Sequence, residues 1–473
     1  MQFDALLATL DDADISVPAE VLDHFEITAV VHDTRDVIPG ALFCCVRGDR
    51  VDGHDLASAA VDAGAVVVLA ERSVAPRVPA LYVPSVRDAM GPVADAFWGH
   101  PSRQLAVVGV TGTSGKTTTT HLLHAVGAAA GMDPLVIGTL SGARTTPEAT
   151  ELQALLAGAV EDARRMVAME VSSHALALGR VRSTHFAVAV FTNLSHDHLD
   201  FHADLDDYFE AKASLFTPDY TDAAVVNLDD PRGRELARRG SVPTTGYSLD
   251  DVEDLVVSGA RVAFRWHGTD IEVPMGGRFN ASNALAAATV AEVLGIPLSV
   301  VAEGLARTPP VPGRFEAVDE GQPFTVLVDY SHKPGALASA LDAAREASGG
   351  GRVVLVFGAG GDRDASKRPE MGAVASRQAD RVLLTSDNPR GEDPLAIIDA
   401  VRSGMDDTST LTVEPDRGAA IRLAIAEAGP GDVVVIAGKG HESVQVIGDR
   451  ALPFDDREVA RAALIDRRDR TGW

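Results

Sequence analysis

The chain has 473 residues, 46% hydrophobic and 23% charged, enough for about two to four packed domains and too apolar for a mostly disordered chain. Asp and Glu outnumber Lys and Arg by 68 to 42, a formal net charge of −26, and no basic run forms a local patch. Nucleic acid and anionic membrane surfaces are therefore not expected partners, because both repel such a chain.

The opening MQFDALLATLDDADIS has no basic region ahead of an apolar segment. No stretch approaches the roughly 18 uninterrupted apolar residues of a membrane span. A cytoplasmic protein is expected, with a monomer as the simplest default. The first 101 residues carry the apolar runs ALFCCV, AVVVLA and LYVPS, with helical DLASAAVDAGA between the first two. This pattern predicts a small α/β domain. Cys44 and Cys45 are adjacent in an apolar strand, which suits neither a disulfide framework nor a zinc site, so both read as buried, reduced and structural.

After a helical stretch around Met90–Trp98, GHPSRQ (99–104) marks a break, and TPPVPGR (308–314) marks a second, its clustered prolines ending a helix. Between them, residues 102–312 open with the strand LAVVGV, a Gly/Thr-rich turn and the helix former TTTTHLLHAVGAAA. The strand-like runs RMVAMEV, FAVAVFTN and DAAVVNL follow. Residues 313–473 repeat the theme with VVLVFG, RVLLTS and VVVIAG. Continuous apolar strands alternating with helices predict mostly parallel sheets covered on both faces. Ligands of such sheets sit beyond the carboxyl ends of the strands.

The segment Val108-Gly109-Val110-Thr111-Gly112-Thr113-Ser114-Gly115-Lys116-Thr117 lies between a predicted strand and a predicted helix. It is a variant of the phosphate-binding loop: the usual pattern wants glycine at 110, where this chain has valine. Backbone N–H groups there can wrap an anion at the positive end of a helix. Lys116 would reach the β- and γ-phosphates, and the Thr117 hydroxyl would ligate Mg²⁺.

Glu170 ends the run MVAMEV, and the run AVAVFTN leads into Ser195-His196-Asp197-His198-Leu199-Asp200-Phe201-His202. Two neighbouring strands are expected to release Glu170 and this His/Asp cluster at one sheet edge, where they could hold a divalent cation. The cluster also resembles the H-x-H-x-D-H pattern of zinc hydrolases, but Phe201 interrupts it. On residues alone, Lys212 in the helical DYFEAKASLF reads as an ordinary surface lysine.

Several motifs, in order through nearly the whole chain, together resemble the Mur ligase family. They are GVTGTSGKTTTT, TTPEATELQ, AMEVSSHAL, FTNLSHDHLDFH, YFEAKASLF, GRFNASNALAA, PGRFE, VDYSHKPGAL, FGAGGDRDASKRP, SDNPRGEDP and AGKGHE. DTRDVIPGALFCCVRGDRVDGHD resembles the UDP-binding domain of the branch that extends the muramoyl-dipeptide. The resemblance implies three domains: a small UDP-muramoyl-binding domain (1–101), a central P-loop ATP-binding domain (102–312) and a C-terminal Rossmann-like domain (313–473). It implies ATP-dependent amide formation on UDP-N-acetylmuramoyl-L-alanyl-D-glutamate through an acyl phosphate.

The resemblance also assigns roles. Gly112, Thr113, Ser114, Gly115, Lys116, Thr117 and Thr118 would hold the ATP phosphates, with Asn283 at adenine, Asp329 at ribose, His332 nearby and Arg314 reaching in from the third domain. Lys116, Glu170, His198 and Lys212 would be catalytic. Thr117, Glu170, His198 and a carbamylated Lys212 would bind Mg²⁺. Thr34 and Arg35 would meet uridine, while Thr145, Thr146, Ser172 and Arg180 would meet the muramoyl-dipeptide. Only six residues separate Gly138 from Thr145, where many relatives carry a longer hairpin. Domain closure on ATP is expected to assemble the site.

Asp387, Asn388 and Arg390 match the DNPR motif of members that add meso-diaminopimelate, with Arg363, Gly438 and Glu442 completing the set. Arg390 can grip the distal carboxylate of that amino acid in a bidentate fork, and Asp387 or Glu442 can accept from an ammonium. The alternative is a surface bridge from Arg390 to Glu392 or Asp393. The competing functions are a lysine-adding ligase, a sibling ligase of the family, and a non-catalytic nucleotide-binding relative.

Overall fold

A computed structural model describes residues 1–7, 26–48, 51–74, 78–199 and 201–471. Asp49, Arg50 and Asp200 of the motifs above lie outside the described residues. The strands fall into three main sheets, each fed by the apolar runs seen in the sequence. The first contains β1 (Ala29–Val31), β2 (Ala41–Cys44), β3 (Ala65–Ala70) and β4 (Ala80–Tyr82), all parallel and in that order. Cys44 and Cys45 are both buried and free, and burial pushes the Cys45 thiol up to about 12.

The second sheet contains β5 (Ala106–Thr111), β6 (Leu135–Ile137), β7 (Met166–Glu170), β8 (Val188–Phe191), β9 (Ala224–Asn227) and β10 (Thr244–Tyr247). Its order is β10-β9-β8-β5-β7-β6, parallel throughout. The expectation that the Glu170 strand and the strand before Asn193 are neighbours is therefore corrected. The phosphate-loop strand β5 lies between β7 and β8, which puts the loop at the centre of the edge with Glu170 on one side and the His/Asp cluster on the other. An antiparallel meander follows: β11 (Glu253–Val257), β12 (Val262–Trp266) and β13 (Thr269–Val273). Val262, Phe264 and Trp266 alternate inward against the helix Arg278–Val293, whose Ala-rich faces are nearly all buried.

The third sheet contains β14 (Glu316–Ala317), β15 (Thr325–Asp329), β16 (Val353–Phe357), β17 (Arg381–Leu384), β18 (Leu411–Val413) and β19 (Val433–Ala437), ordered β14-β15-β19-β16-β17-β18. Only β14 is antiparallel. A hairpin, β20 (Val444–Ile447) and β21 (Arg450–Pro453), leaves the end of β19. The crossing from the second sheet to the third runs through Gly313 at φ 63°. A Cβ there would meet the Gly440 carbonyl carbon and the His441 nitrogen at 2.1 Å, so only glycine fits. Among the described residues, no helix is long and apolar enough to cross a membrane.

Candidate active site

The carboxyl ends of the second sheet and the start of the third face a shared cavity of about 740 Å³. Between β5 and the helix Lys116–Ala129, Gly112 and Gly115 take φ 148° and 86°. A Cβ on Gly115 would sit 2.5 Å from Asn283 Oδ1, so the loop closes tightly on the buried asparagine. Asn193 and Thr192 brace the loop from β8: Ser114 N donates to Asn193 Oδ1 at 3.0 Å, and Thr192 Oγ1 donates to the Ser114 carbonyl at 2.6 Å.

Two lysines converge on one loop carbonyl. Lys116 Nζ donates to the carbonyls of Gly112 (2.8 Å) and Thr113 (3.0 Å), and Lys212 Nζ donates to that of Gly112 (3.0 Å). The reading of Lys212 as a surface residue is overturned: it is 1% exposed, with its ammonium 4.5 Å from the Tyr208 ring centre. It lies on the core face of the helix Leu205–Ala213, a placement set by packing and not by local composition. Burial pushes Lys116 down to about 8. Burial and the neighbouring Lys116 push Lys212 well below the usual lysine range.

Glu170, at the end of β7, accepts from the Thr117 hydroxyl (3.1 Å) and the Thr139 N–H (2.8 Å). Arg314 crosses from the third sheet's side and donates to that same Thr117 hydroxyl at 3.1 Å, with its guanidinium 4.6 Å from the Tyr330 ring centre. A second crossing joins Lys333 to Asp197, which also pairs with His198 at 3.1 Å. His198 takes φ 54°, and burial holds its ring down at about 4. Asp329 accepts from the Phe315 N–H (2.8 Å) and from the Ser331 hydroxyl, and His332 donates to the Tyr330 carbonyl at 2.8 Å.

On the far side, Thr146 donates to the Glu170 carbonyl (2.9 Å) and accepts from Ser172 N (3.1 Å), and Thr145 Oγ1 lies 3.1 Å from Thr139 Oγ1. Arg180 pairs with buried Glu148 at 2.9 Å. Thr34 and Arg35 lie apart from this cavity, in a short turn of the first sheet where Arg35 is exposed and held by Asp33.

The third sheet's carboxyl edge carries the remaining predicted residues, outside the lining of that cavity. Asp387 is buried, its carboxyl pushed up by desolvation, and Gly438 (φ 118°) faces it: a Cβ would come within 2.5 Å of Asp387 Oδ2. Asn388 donates to Glu442 at 2.7 Å. Arg390 makes no bridge to Glu392 or Asp393. It donates to the Gly361 carbonyl (2.7 Å), Glu392 is taken by Arg368 in a fork of 2.8 and 2.9 Å, and Asp393 caps the next helix. Arg363 is exposed on the loop after β16.

The same organisation recurs in known proteins. Residues 26–98, 110–291 and 313–440 match the models described as Mur ligase family, catalytic domain; Mur ligase middle domain; and Mur ligase, glutamate ligase domain. The chain is 45% identical to a UDP-N-acetylmuramoyl-L-alanyl-D-glutamate--2,6-diaminopimelate ligase of Geobacillus thermodenitrificans, covering 94% of this chain and 96% of that protein. The chain belongs to the Mur ligase family.

A Streptomyces coelicolor ligase of the same name is 44% identical over 93% of this chain and 92% of its own. A solved structure of a ligase so named superposes with a TM-score of 0.67 at 32% identity, covering 93% of this chain and 95% of that one. The MurF ligase of Thermotoga maritima in complex with ADP shares the fold, with a TM-score of 0.64 at 20% identity and coverage of 93% and 96%. Within this Mur ligase, the sequence alone did not single out Thr192, Tyr330 and Lys333, all of which line the cavity. All lie inside or beside the motifs quoted above, so position in the motif was the available signal.

Proposed function

We propose that the chain is an ATP-dependent ligase that joins meso-diaminopimelate to UDP-N-acetylmuramoyl-L-alanyl-D-glutamate. The observation that carries this reading is the meeting of the phosphate loop, Glu170 and Arg314 at one hydroxyl, Thr117, inside a cavity walled by two sheets. The names of the relatives agree with it.

The residues suit a nucleotide. Lys116 has only neutral carbonyl acceptors, and Arg314 Nε is buried without a protein partner, so both can turn to phosphate oxygens. Among the described residues, no three His, Cys, Asp or Glu side chains form a cage. Thr117 and Glu170 with phosphate oxygens, and His198 near by, instead suit Mg²⁺, which favours one or two carboxylates plus substrate phosphates. Bound there, Mg²⁺ would neutralise charge on the transferring phosphoryl group.

A carboxylate is a poor electrophile at neutral pH. Its attack on the γ-phosphate of ATP forms a C–O–P link and releases ADP. The incoming amine then attacks the acyl carbon: a C–N bond forms, the acyl C–O bond breaks, phosphate leaves with that oxygen, and the nitrogen gives up a proton. Lys116 and Arg314 offset the repulsion between the two anions. Thr145, Thr146, Ser172 and Arg180 line the side of the cavity suited to the muramoyl-dipeptide, whereas Thr34 and Arg35, apart from that cavity, suit its uridine. Asn283 suits the adenine and Asp329 the ribose, with His332 nearby. Asp387, Asn388, Arg390, Gly438 and Glu442, with Arg363, suit the amino acid. The buried Lys212 amine, which burial and the neighbouring Lys116 push well below the usual lysine range, suits carbamylation: in its neutral form its nitrogen bonds the carbon of CO₂, one proton leaves, and an anion results.

Phosphate release with Mg-ATP and UDP-muramoyl-dipeptide tests the reading, with meso-diaminopimelate and L-lysine in parallel. Diaminopimelate-dependent release is expected, and Arg390→Ala should raise the KM for it steeply, a charged contact of this kind being worth about 2–5 kcal/mol. Release with lysine alone would overturn the amino acid, and release with neither would overturn the ligase.

A further inference from the structure

The end of β19 carries a lysine that no role above uses. Lys439 is 0% exposed, and its ammonium has three acceptors for its three protons: Asn388 Oδ1 (3.1 Å), Glu442 Oε2 (3.1 Å) and the Val444 carbonyl (2.6 Å). A buried lysine is costly unless it is paired and fully hydrogen-bonded, so this one is fixed in direction.

Its partners are the point. Asn388 Oδ1 also accepts from Val446 N at 2.9 Å, which sets which end of the amide is oxygen and turns Nδ2 toward Glu442 Oε2. Glu442 Oε2 thus takes two donors, and Oε1 is the oxygen left to meet a cationic group. The hairpin β20–β21 binds the same segment: Gln445 donates to the Asp387 carbonyl (2.8 Å), Arg390 N to the Val446 carbonyl (3.0 Å) and Gly448 N to the Arg390 carbonyl (2.7 Å).

We propose that Lys439 is a positioning residue for the incoming amino acid, aligning Asn388 and Glu442 and anchoring the hairpin that holds Arg390 in register. It touches no reacting atom. It makes the recognition edge rigid before the ligand arrives, so its loss is felt in affinity for the amino acid and not in the use of ATP. This rests on the diaminopimelate site proposed above.

The test compares wild type, Lys439→Met and Lys439→Arg by phosphate release, titrating each substrate in turn and recording the melting temperature. Lys439→Met should raise the KM for meso-diaminopimelate tenfold or more while the KM for ATP stays within twofold, and Lys439→Arg should recover part of the loss. In the Glu442→Gln background, Lys439→Met should add less than it does alone, because it acts through Glu442. If Lys439→Met does not fold, Lys439→Gln, which keeps one donor, replaces it with the same expected direction. An unchanged KM for the amino acid in a folded variant overturns the proposal alone. Wild type inactive with every amine overturns the ligase reading and this proposal with it.

Discussion

The two catalytic-side sheet edges balance charge in opposite ways. At the edge of β5, Lys116 and Lys212 direct their ammoniums at backbone carbonyls, and no carboxylate bonds either one. At the edge of β17 and β19, Lys439 meets Glu442 and Arg417 meets Asp456, a pair with both side chains 0% exposed. Arg417 also donates to the Ala437 carbonyl at 3.0 Å, so it pins the end of β19. A cation given only dipoles keeps most of its field for an anionic ligand; a cation given a carboxylate is neutralised and shapes the backbone instead. The first edge suits polyphosphate, and the second suits a zwitterion read by shape.

Perturbing each edge should therefore break different properties. The largest effect is expected from Arg417→Met, which strands Asp456 in the core: a loss of about 3–5 kcal/mol in urea unfolding. A loss below 1 kcal/mol would mean the pair is not the anchor described. Lys116→Met should do the reverse, lowering phosphate release by about 10²–10³-fold while leaving the unfolding midpoint nearly in place. A large fall in that midpoint would contradict the contrast between the edges.

A smaller effect concerns acid. Burial holds His332 at about 3, against an ordinary value of 6.5. Its ring is neutral in the fold while the unfolded chain takes up a proton below pH 6.5, so stability falls as pH drops from 6.5 toward 3. Unfolding midpoints at pH 7, 6 and 5 should decline, and less so for His332→Gln. The smallest change is expected from Glu303→Ala, which removes an exposed pair with Arg307 one helical turn away and should cost about 0.3–0.5 kcal/mol. A larger cost there would mean that exposed pairs cannot serve as the baseline for the buried ones.

What the sequence disclosed followed local rules. Apolar runs located β2, β3, β4, β5, β7, β8, β9, β16, β17 and β19, and the Gly-Lys-Thr turn located the phosphate loop, because both signals are contained within about ten residues. Strand order is not local. The insertion of β5 between β7 and β8 depends on crossovers through distant helices, and the guess of adjacency failed there. Lys212 was misread for the same reason, since a helical lysine is buried or exposed by what packs on it. The meander β11–β13 went unread although VAFRW alternates and His267-Gly268, both at positive φ, mark its turn. The edge around Lys439 was legible as a motif but not as a network, since its bonds join residues about fifty positions apart.

Gly313 sets a tolerance on the whole molecule. The chain passes from the second sheet to the third through a gap that admits a hydrogen atom and nothing larger, against the loop that carries Gly440, His441 and Glu442. The next residue, Arg314, touches the phosphate loop. The spacing between the nucleotide cleft and the amino-acid edge is thus gauged by one missing methyl group, and any side chain at 313 would drive the two apart as a wedge.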